Sequence, residues 1–161
     1  MNQQAQLYTY QFNEGQLILP EAYQDDSVQI LKLPHKQANL IITRTILKAQ
    51  QTEDSYFKQQ IALLKKEMRH LIVGDRVMTT LGGEKAIEAK QVQIQFENKG
   101  VVLYQFLLTT VRPDSSHLLV LTYSQPRPLT EADNQYWHAI KDSFIPAELT
   151  KEEKDERLSG G

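Results

Sequence analysis

Short turns between alternating segments constrain the fold of this chain more than any other feature. The clearest is Asn98-Lys99-Gly100, which separates two long segments, residues 84–96 and 101–112. Because a turn of this length joins neighbouring strands that run in opposite directions, the two segments predict an antiparallel hairpin. Hairpin-length turns recur along most of the chain, so the sequence predicts a mainly antiparallel sheet.

Further strands are predicted on both sides of this hairpin, and two helices interrupt them. The predicted strands cover residues 8–12, 16–19, 28–33, 39–46, 71–81 and 117–124. The first helix is predicted over residues 53–70, where Phe57, Ile61, Leu64 and Met68 recur at helical spacing, and His70 suits its C-terminal end. The second begins after Thr130, with an apolar face of Ala132, Tyr136, Trp137, Ile140 and Phe144. Thr52 and Thr130 are the predicted N-caps, and Asp133 completes the second cap.

This order of elements predicts an α+β fold, with a mainly antiparallel twisted sheet and both helices packed on one face. A chain of 161 residues suits one domain, which we assign to residues 1–146. The charged segment 147–161, which ends in Ser-Gly-Gly, is predicted to be a disordered tail.

Composition and charge exclude several classes of function. The formal net charge is −2 and no basic stripe is visible, so a nucleic-acid partner is not expected. The chain has no cysteine, which excludes disulfides and thiolate chemistry. No secretory signal or bilayer-length apolar run occurs, and residues 101–111 are too short to span. We therefore expect a cytoplasmic protein that does not itself insert into a membrane.

No catalytic or metal-binding pattern is present in the sequence. None of the four histidines, His35, His70, His117 and His138, has a second ligand at metal spacing. Gly82-Gly83 lacks the following helix that a phosphate-binding loop needs. We expect no cofactor, no metal and no enzyme activity. A dispersed active site around His117 or His138 remains the least favoured alternative.

With both helices on one face, the other face of the sheet would be open. Alternation places Ile41, Thr43, Thr45, Leu103, Gln105, Leu107 and Thr109 there. Such a surface mixes aliphatic with uncharged polar groups and contains almost no charge, which is typical of an interaction surface. It would suit an apolar helix, because amides and hydroxyls can bond to polar spots without the desolvation cost of a charge. A dimer partner that buries the face is the alternative, and both could hold.

Several short motifs resemble one known family in their order and spacing. They are Tyr10-Gln11-Phe12-Asn13-Glu14-Gly15, Leu19-Pro20, Gln24-Asp25, Ile61-Ala62-Leu63-Leu64, Tyr104-Gln105, and residues 122–129 with Pro126-Arg127-Pro128-Leu129. Over residues 8–146 the chain resembles the DcrB-related, Eag-type effector chaperones of bacterial type VI secretion.

The resemblance implies a PsbP-like fold and a homodimer. It also implies a function: the protein would bind the N-terminal transmembrane helices of a secreted effector in the cytoplasm and aid loading of the effector onto the secretion spike. Val28 and Ile30 fall where the family places aliphatic groove residues, and Gln105 falls at a recurrent strand glutamine. The alternative hypothesis is a module that binds a small ligand or lipid on the same sheet surface.

Overall fold

The protein is described here by a computed structural model covering residues 6–84, 86–112 and 115–146. The predicted α+β class is confirmed, and every strand pairing in these ranges is antiparallel. The predicted tail, residues 147–161, lies outside the described residues. In chain order the elements are β1 (Tyr8–Phe12), β2 (Gly15–Leu19), β3 (Val28–Leu33), β4 (Ala38–Ile46), α1 (Glu53–Glu67), β5 (Arg69–Val73), β6 (Val77–Leu81), β7 (Ile87–Asn98), β8 (Val101–Val111), β9 (His117–Gln125) and α2 (Glu131–Asp142).

Seven of these strands form one sheet. Its order is β3-β4-β9-β8-β7, and β5 and β6 follow one another along the outer edge of β7. The hairpin β1–β2 is a separate two-stranded sheet. It is held by the ring of Tyr23, which meets Tyr10 edge-on at 5.4 Å, and by the Tyr23 hydroxyl, which donates to the Thr9 carbonyl at 3.1 Å.

The turn between β7 and β8 fixes which residues share a face of the sheet. Lys99 and Gly100 both have positive φ, 53° and 84°. This conformation produces a tight hairpin in which Asn98 lies opposite Val101. Because residues directly opposite in an antiparallel pair point to the same side, Phe96 shares a face with Leu103, and Gln93 shares the other face with Phe106. Val92, Ile94 and Phe96 of β7 thus point to one side of the sheet, and Phe106 and Leu108 of β8 point to the other.

The larger core lies between the sheet and α2. The indole of Trp137 stacks on the ring of Phe106, with centroids 5.6 Å apart and planes 3° from parallel. Tyr123 and Leu108 are fully buried beside them. The indole Nε1 donates to the side chain of Gln91 at 3.1 Å, so the polar edge of the ring is satisfied while its body is buried. We call this side of the sheet the α2 face.

A second core lies between α1 and the opposite side, the α1 face. Phe57 is buried there against Val92, Ile94 and Phe96 of β7, with Ile61, Leu64 and Met68 of α1 around it. The prediction that both helices pack on one face is therefore wrong. The physical reason is the register of the β7–β8 hairpin, which gives each side of the sheet an apolar surface that needs its own helix.

Some element boundaries also differ from the prediction. Helix α1 ends at Glu67 rather than at His70, because Met68 is extended and His70 has a positive φ of 55° in β5. The predicted strand 71–81 is two strands, β5 and β6. At Gly74, between them, the backbone N–H bonds to the carbonyl of Gln93 at 2.9 Å. Ala132, predicted on the apolar face of α2, is exposed.

Both predicted N-caps are confirmed. The hydroxyl of Thr52 accepts from the backbone N–H of Ser55 at 3.0 Å, and that of Thr130 accepts from Asp133 at 3.3 Å. In each helix the side chain of the residue three positions later, Ser55 or Asp133, accepts a hydrogen bond from the backbone N–H of the capping threonine. This completes a capping box.

Candidate functional site

Helix α1 covers only part of its face of the sheet. It packs on β5, β7 and β8, and no helix of the described residues lies above β9, β4 and β3. This uncovered strip is the α1 groove. Its floor and its outer wall on β3 are formed by uncharged residues of three strands. They are Val28, Ile30, Ile41, Thr43, Thr45, Val120, Thr122 and Ser124.

The inner wall of the α1 groove is one flank of α1. Asp54 marks the opposite flank, because its carboxylate meets Arg76 and Lys90 near the β6 edge of the sheet. From the helical repeat, Tyr56, Gln60 and Leu63 lie on the flank that faces β9 and β4. The Leu63 side chain is exposed, and partial burial raises the pKa of the Tyr56 phenol. This wall therefore presents one apolar, one aromatic and one amide side chain to the groove, and Glu67 follows on the same flank in the last turn of α1.

The width of the α1 groove matches one α-helix. Adjacent strands are about 4.8 Å apart, so two strand spacings separate α1 from a line above the β9–β4 seam by about 10 Å. Packed helices have interaxial distances of about 8–10 Å. From Thr45 to Asn39 the floor is about 20 Å long, which accommodates roughly 14 residues of helix. A second helix laid beside α1 would occupy the space above β9 and β4 that α1 leaves uncovered.

The nine residues predicted as an effector-binding groove all lie on the α1 face, but not all are open. Val28 and Ile30 are 56% and 60% exposed on β3, and Ile41, Thr43 and Thr45 lie half-buried in the groove floor. By contrast, Leu103 and Leu107 pack in the core under α1. Thr109 is buried, and its hydroxyl forms hydrogen bonds with Glu53, at the start of α1, and with Arg76. Gln105 is buried at the boundary, where it donates to the Ser124 hydroxyl at 3.1 Å.

The two ends of the α1 groove differ. At one end the connection 47–52 leads from β4 to α1, and the Leu118 side chain beneath this region is buried. The other end widens into an open cavity of about 470 Å³ at the β3–β4 turn. The cavity is lined by Lys32, Leu33, Pro34, Gln37, Ala38, Asn39, Val101, Leu103, Ser124, Gln125 and Pro126. Lys32 is thus the one charged residue among those that form the cavity and the strand side of the groove in the described ranges.

An ionic cluster fixes the N-terminal end of α1 on the sheet. Arg76 forms ion pairs with Glu53 and with Asp54, and its guanidinium lies 3.9 Å from the ring centroid of Phe57. Lys90 donates to Asp54 at 3.0 Å. This hydrogen bond lowers the pKa of Asp54 and raises the pKa of Lys90. The position of the groove wall therefore depends on side chains from the edge of the sheet.

Sequence reasoning missed the wall residues Tyr56, Gln60 and Leu63. It placed α1 on the other face, so its flank could not contribute to the groove. The signal that could have corrected this was the two-residue turn Lys99-Gly100. A two-residue loop pairs Phe96 with Leu103, which puts apolar residues of β7 on the face that was predicted to be open.

Histidine and acidic side chains are dispersed over the part of the chain that the structure describes. This part contains no group of three His, Asp or Glu side chains arranged to hold a metal ion. His117 and His138 lie at separate exposed positions, and His138 pairs with Asp142 at 3.3 Å on α2. No helix in the described ranges has the length and apolar character needed to cross a membrane.

The fold and its groove define a class of small α+β proteins with one helix on each side of an antiparallel sheet. The DcrB family model matches residues 14–143, and the chain belongs to the DcrB family. A similar solved structure is that of a protein of unknown function, PA94 from Pseudomonas aeruginosa, described as a putative regulator. It is 21% identical, with a TM-score of 0.65, over 87% of this chain and 96% of the other, which shows a shared fold. No curated protein matches the sequence.

Proposed function

We propose that this protein is a cytoplasmic chaperone that holds an apolar helix in the α1 groove. The client would be the N-terminal transmembrane segment of a protein secreted by a type VI system, as the resemblance to Eag-type chaperones implies. The observation that carries the proposal is the uncovered strip beside α1, which is about one helix wide and has a floor of uncharged residues. Membership of the DcrB family is consistent with it.

The chemistry of the groove suits such a client. Val28, Ile30 and Ile41 would receive apolar side chains, while threonine hydroxyls can bond to polar spots on the helix. Burying several hundred Å² of apolar surface at about 25 cal/mol per Å² amounts to roughly 10 kcal/mol before ordering costs. The function is therefore binding and shielding, without a catalytic step.

We further propose that the protein acts as a homodimer, as the resemblance implies. Two copies would bring two α1 grooves together, so that a client with two apolar helices could be shielded by one dimer. Light scattering on the purified protein, alone and with client, measures this directly. A monomer at micromolar concentration that still captures client would contradict the dimer while leaving the groove intact.

The decisive experiment uses two adjacent residues of β3 that point to opposite faces. Ile30 lies in the α1 groove, whereas Leu31 lies on the α2 face, and both side chains are largely exposed. The probe is a membrane-span-length segment of leucines and alanines, about 20 residues, fused to a soluble carrier and co-expressed with each variant. We expect wild type and Leu31→Glu to keep the fusion in solution, and Ile30→Glu to lose it.

Folding of each variant is checked by circular dichroism and by the emission of Trp137, the single tryptophan. Capture that survives Ile30→Glu in a folded protein would show that the groove is not the client site. Capture that is lost equally in Leu31→Glu would show that the effect is not specific to the groove.

A second candidate function is favoured by the cavity at the open end of the α1 groove. Its volume of about 470 Å³ is large enough for a small amphiphile. The walls are largely apolar, and Lys32 is the one charged residue among those that line the cavity. Native mass spectrometry of the purified protein separates the two functions. A bound molecule of constant mass that the leucine–alanine fusion does not displace would favour the small-ligand module.

A further inference from the structure

The β1–β2 hairpin, which we call the arm, has one apolar side and one mainly polar side. Residues directly opposite in an antiparallel pair point to the same side of the strands. The apolar side is therefore formed by the pairs Tyr8–Leu19, Tyr10–Leu17 and Phe12–Gly15. The other side is formed by Thr9, Gln11, Gln16 and Ile18. Such a division is typical of strands that have one side against other protein groups.

The arm has little support within its own chain. Neither core of the described residues includes a residue of the arm. In the same ranges Tyr23 is the one ring from outside the arm that contacts it, and the two strands of the arm pair with each other alone. A two-stranded hairpin by itself is marginally stable in water, whereas a third strand with a shared apolar side stabilises it. We therefore expect a further strand at one edge of the arm.

An unpaired strand edge of matching length lies on β3. This strand ends the seven-stranded sheet, and no described strand pairs with its outer edge. It has six residues, against five in each strand of the arm. Residues 28–31 carry no charge, although exposed edge strands commonly carry charges that prevent pairing. The outer edge of β3 is thus suited to the addition of a strand.

Opposite charges favour contact between the arm and the β3–β4 pair. Residues 8–27, the arm and the linker after it, contain four carboxylates and no lysine or arginine. Residues 28–46 contain three lysine or arginine side chains and no carboxylate. Of these three, Lys36 is paired with Asp133 at 2.7 Å, whereas Lys32 and Arg44 are exposed. Two arms would repel each other, so an arm is attracted to a β3–β4 pair rather than to another arm.

We propose that the arm of one copy adds to the β3 edge of a second copy and extends the outer wall of the α1 groove of that copy. This inference rests on the proposed homodimer and chaperone function. Within one chain the arm and β3 belong to separate sheets, which leaves the β3 edge for the second copy. Each copy gives one arm and receives one, so the contact closes around a two-fold axis.

The two sides of the arm determine which way it faces. Neighbours on one side of a sheet stabilise each other when their side chains match. The apolar side of the arm matches Val28 and Ile30, which point into the α1 groove. Its mainly polar side matches Gln29, whose side-chain carbonyl accepts from Arg44 at 2.8 Å on the α2 face. Two added strands widen the apolar surface beyond β3 by about 10 Å, so the groove of one copy is incomplete without the other.

The position of the arm can be tested by cross-linking, because the chain has no cysteine of its own. The double variant Gln16→Cys/Gln29→Cys has one exposed thiol on the mainly polar side of the arm and one on the corresponding side of β3. The purified protein is treated with a short bis-maleimide, and the products are read by denaturing mass spectrometry. We expect a product of twice the chain mass that joins position 16 to position 29. The single variants, Gln16→Cys and Gln29→Cys, should give little product.

The contribution of the arm to the groove is tested with two adjacent residues that point to opposite sides of it. Leu17 and Ile18 are 53% and 58% exposed. We expect Leu17→Glu to lower capture of the leucine–alanine fusion by about tenfold, since it places a charge on the apolar wall. Ile18→Glu should capture like wild type. The cross-link between positions 16 and 29, repeated in the Leu17→Glu background, verifies that the arm is still in place.

Failure of this inference can be distinguished from failure of the proposed function. If wild type captures the fusion but the double variant gives a product of one chain mass, or no product, the exchange of arms is overturned and the chaperone function stands. If the product joins two chains but Leu17→Glu captures like wild type, the arm does not form part of the groove. If wild type itself fails to capture the fusion, the chaperone function is overturned.

Discussion

The side chain of Gln105 donates a hydrogen bond of 3.1 Å from its Nε2 to the hydroxyl of Ser124, across the seam between β8 and β9. Both residues are buried, and they lie where the core under α1 meets the floor of the α1 groove. A buried amide that keeps a partner holds one orientation. The pair therefore fixes the border between the closed and the open part of the α1 face.

A double-mutant cycle should detect this hydrogen bond. We expect Gln105→Ala and Ser124→Ala each to lower the free energy of unfolding, and the double variant to recover a coupling energy of about 1 kcal/mol. Urea denaturation followed by circular dichroism measures all four proteins. Strict additivity of the two single effects would show that the hydrogen bond contributes nothing to stability.

The ion pair between Arg76 and Glu53 should matter more than an ordinary surface pair. Both side chains are mostly buried, and Thr109 also bonds to this pair. Arg76→Met removes a partner of the Glu53 carboxylate and should cost about 3 kcal/mol of unfolding free energy. Adding Glu53→Gln should restore part of the loss, because the buried charge is then gone. Urea denaturation of the three proteins measures both effects.

The same variants connect stability with binding. Since Arg76 anchors the helix that forms the groove wall, Arg76→Met should also weaken capture of the leucine–alanine segment while the protein is folded. Lys58→Met, on the outward flank of α1, is the control. If capture is unaffected in folded Arg76→Met, the position of α1 does not govern the groove.

Asp133 should determine part of the acid sensitivity of the fold. Burial alone would raise the pKa of this carboxyl, but hydrogen bonds from Lys36, Thr130 and Gln125 outweigh burial and hold the pKa well below its usual range. A carboxyl with a lowered folded pKa contributes stability above its unfolded pKa and loses it as the pH falls through the folded value.

Wild type should therefore lose stability below about pH 4, where unfolded aspartates bind protons. Asp133→Asn should be less stable by about 2 kcal/mol at neutral pH, and the difference should shrink as the solution becomes strongly acidic. Urea denaturation at several pH values measures the two curves. If the unfolding free energies of the two proteins change in parallel with pH across this range, Asp133 does not contribute to the loss of stability in acid.

The turn between β7 and β8 offers a test of backbone conformation alone. Lys99 has a φ of 53°. Asn and Gly adopt this region at lower cost than Lys, so Lys99→Asn should raise the unfolding free energy by about 0.5 kcal/mol. Gly100→Ala should lower it by about 1 kcal/mol through backbone strain at positive φ. No neighbouring atom lies within 4 Å of the added Cβ, so a clash would not contribute.

Urea denaturation of both turn variants gives the two free energies. If Gly100→Ala leaves the unfolding free energy unchanged, the turn of the variant relaxes to another conformation.

Most of the strands and both helix starts could be predicted because local signals specify them, whereas the break between β5 and β6 was missed. Thr52 and Thr130 cap their helices as predicted, and the alternation in β8 separated Phe106 from Gln105 correctly. The faces covered by the helices could not be read from the helices themselves. An apolar stripe shows that a helix is buried on one side, but it does not identify the surface that buries it.

The groove was predicted only in part, because the sequence does not show which face of the sheet α1 covers. Val28, Ile30 and Ile41 depend on strand alternation, and they lie in the groove. Thr109 follows the same alternation yet is buried by Glu53, because α1 crosses the face that was assigned as open. The uncharged character of the strip was visible in the sequence, but its width of one helix emerges only when α1 is placed.

The strand order has a consequence for how the groove comes into existence during folding. The meander β7–β8–β9 pairs strands that follow one another along the chain, and such local pairings close at small entropic cost. The seam between β4 and β9 joins residues such as Ile46 and His117 or Asn39 and Ser124, which are separated by α1 and four strands. This seam is the floor of the α1 groove. Under the proposed function, a chain still emerging from the ribosome could therefore not hold a client until β9 has been synthesised, and capture would be coupled to completion of the fold.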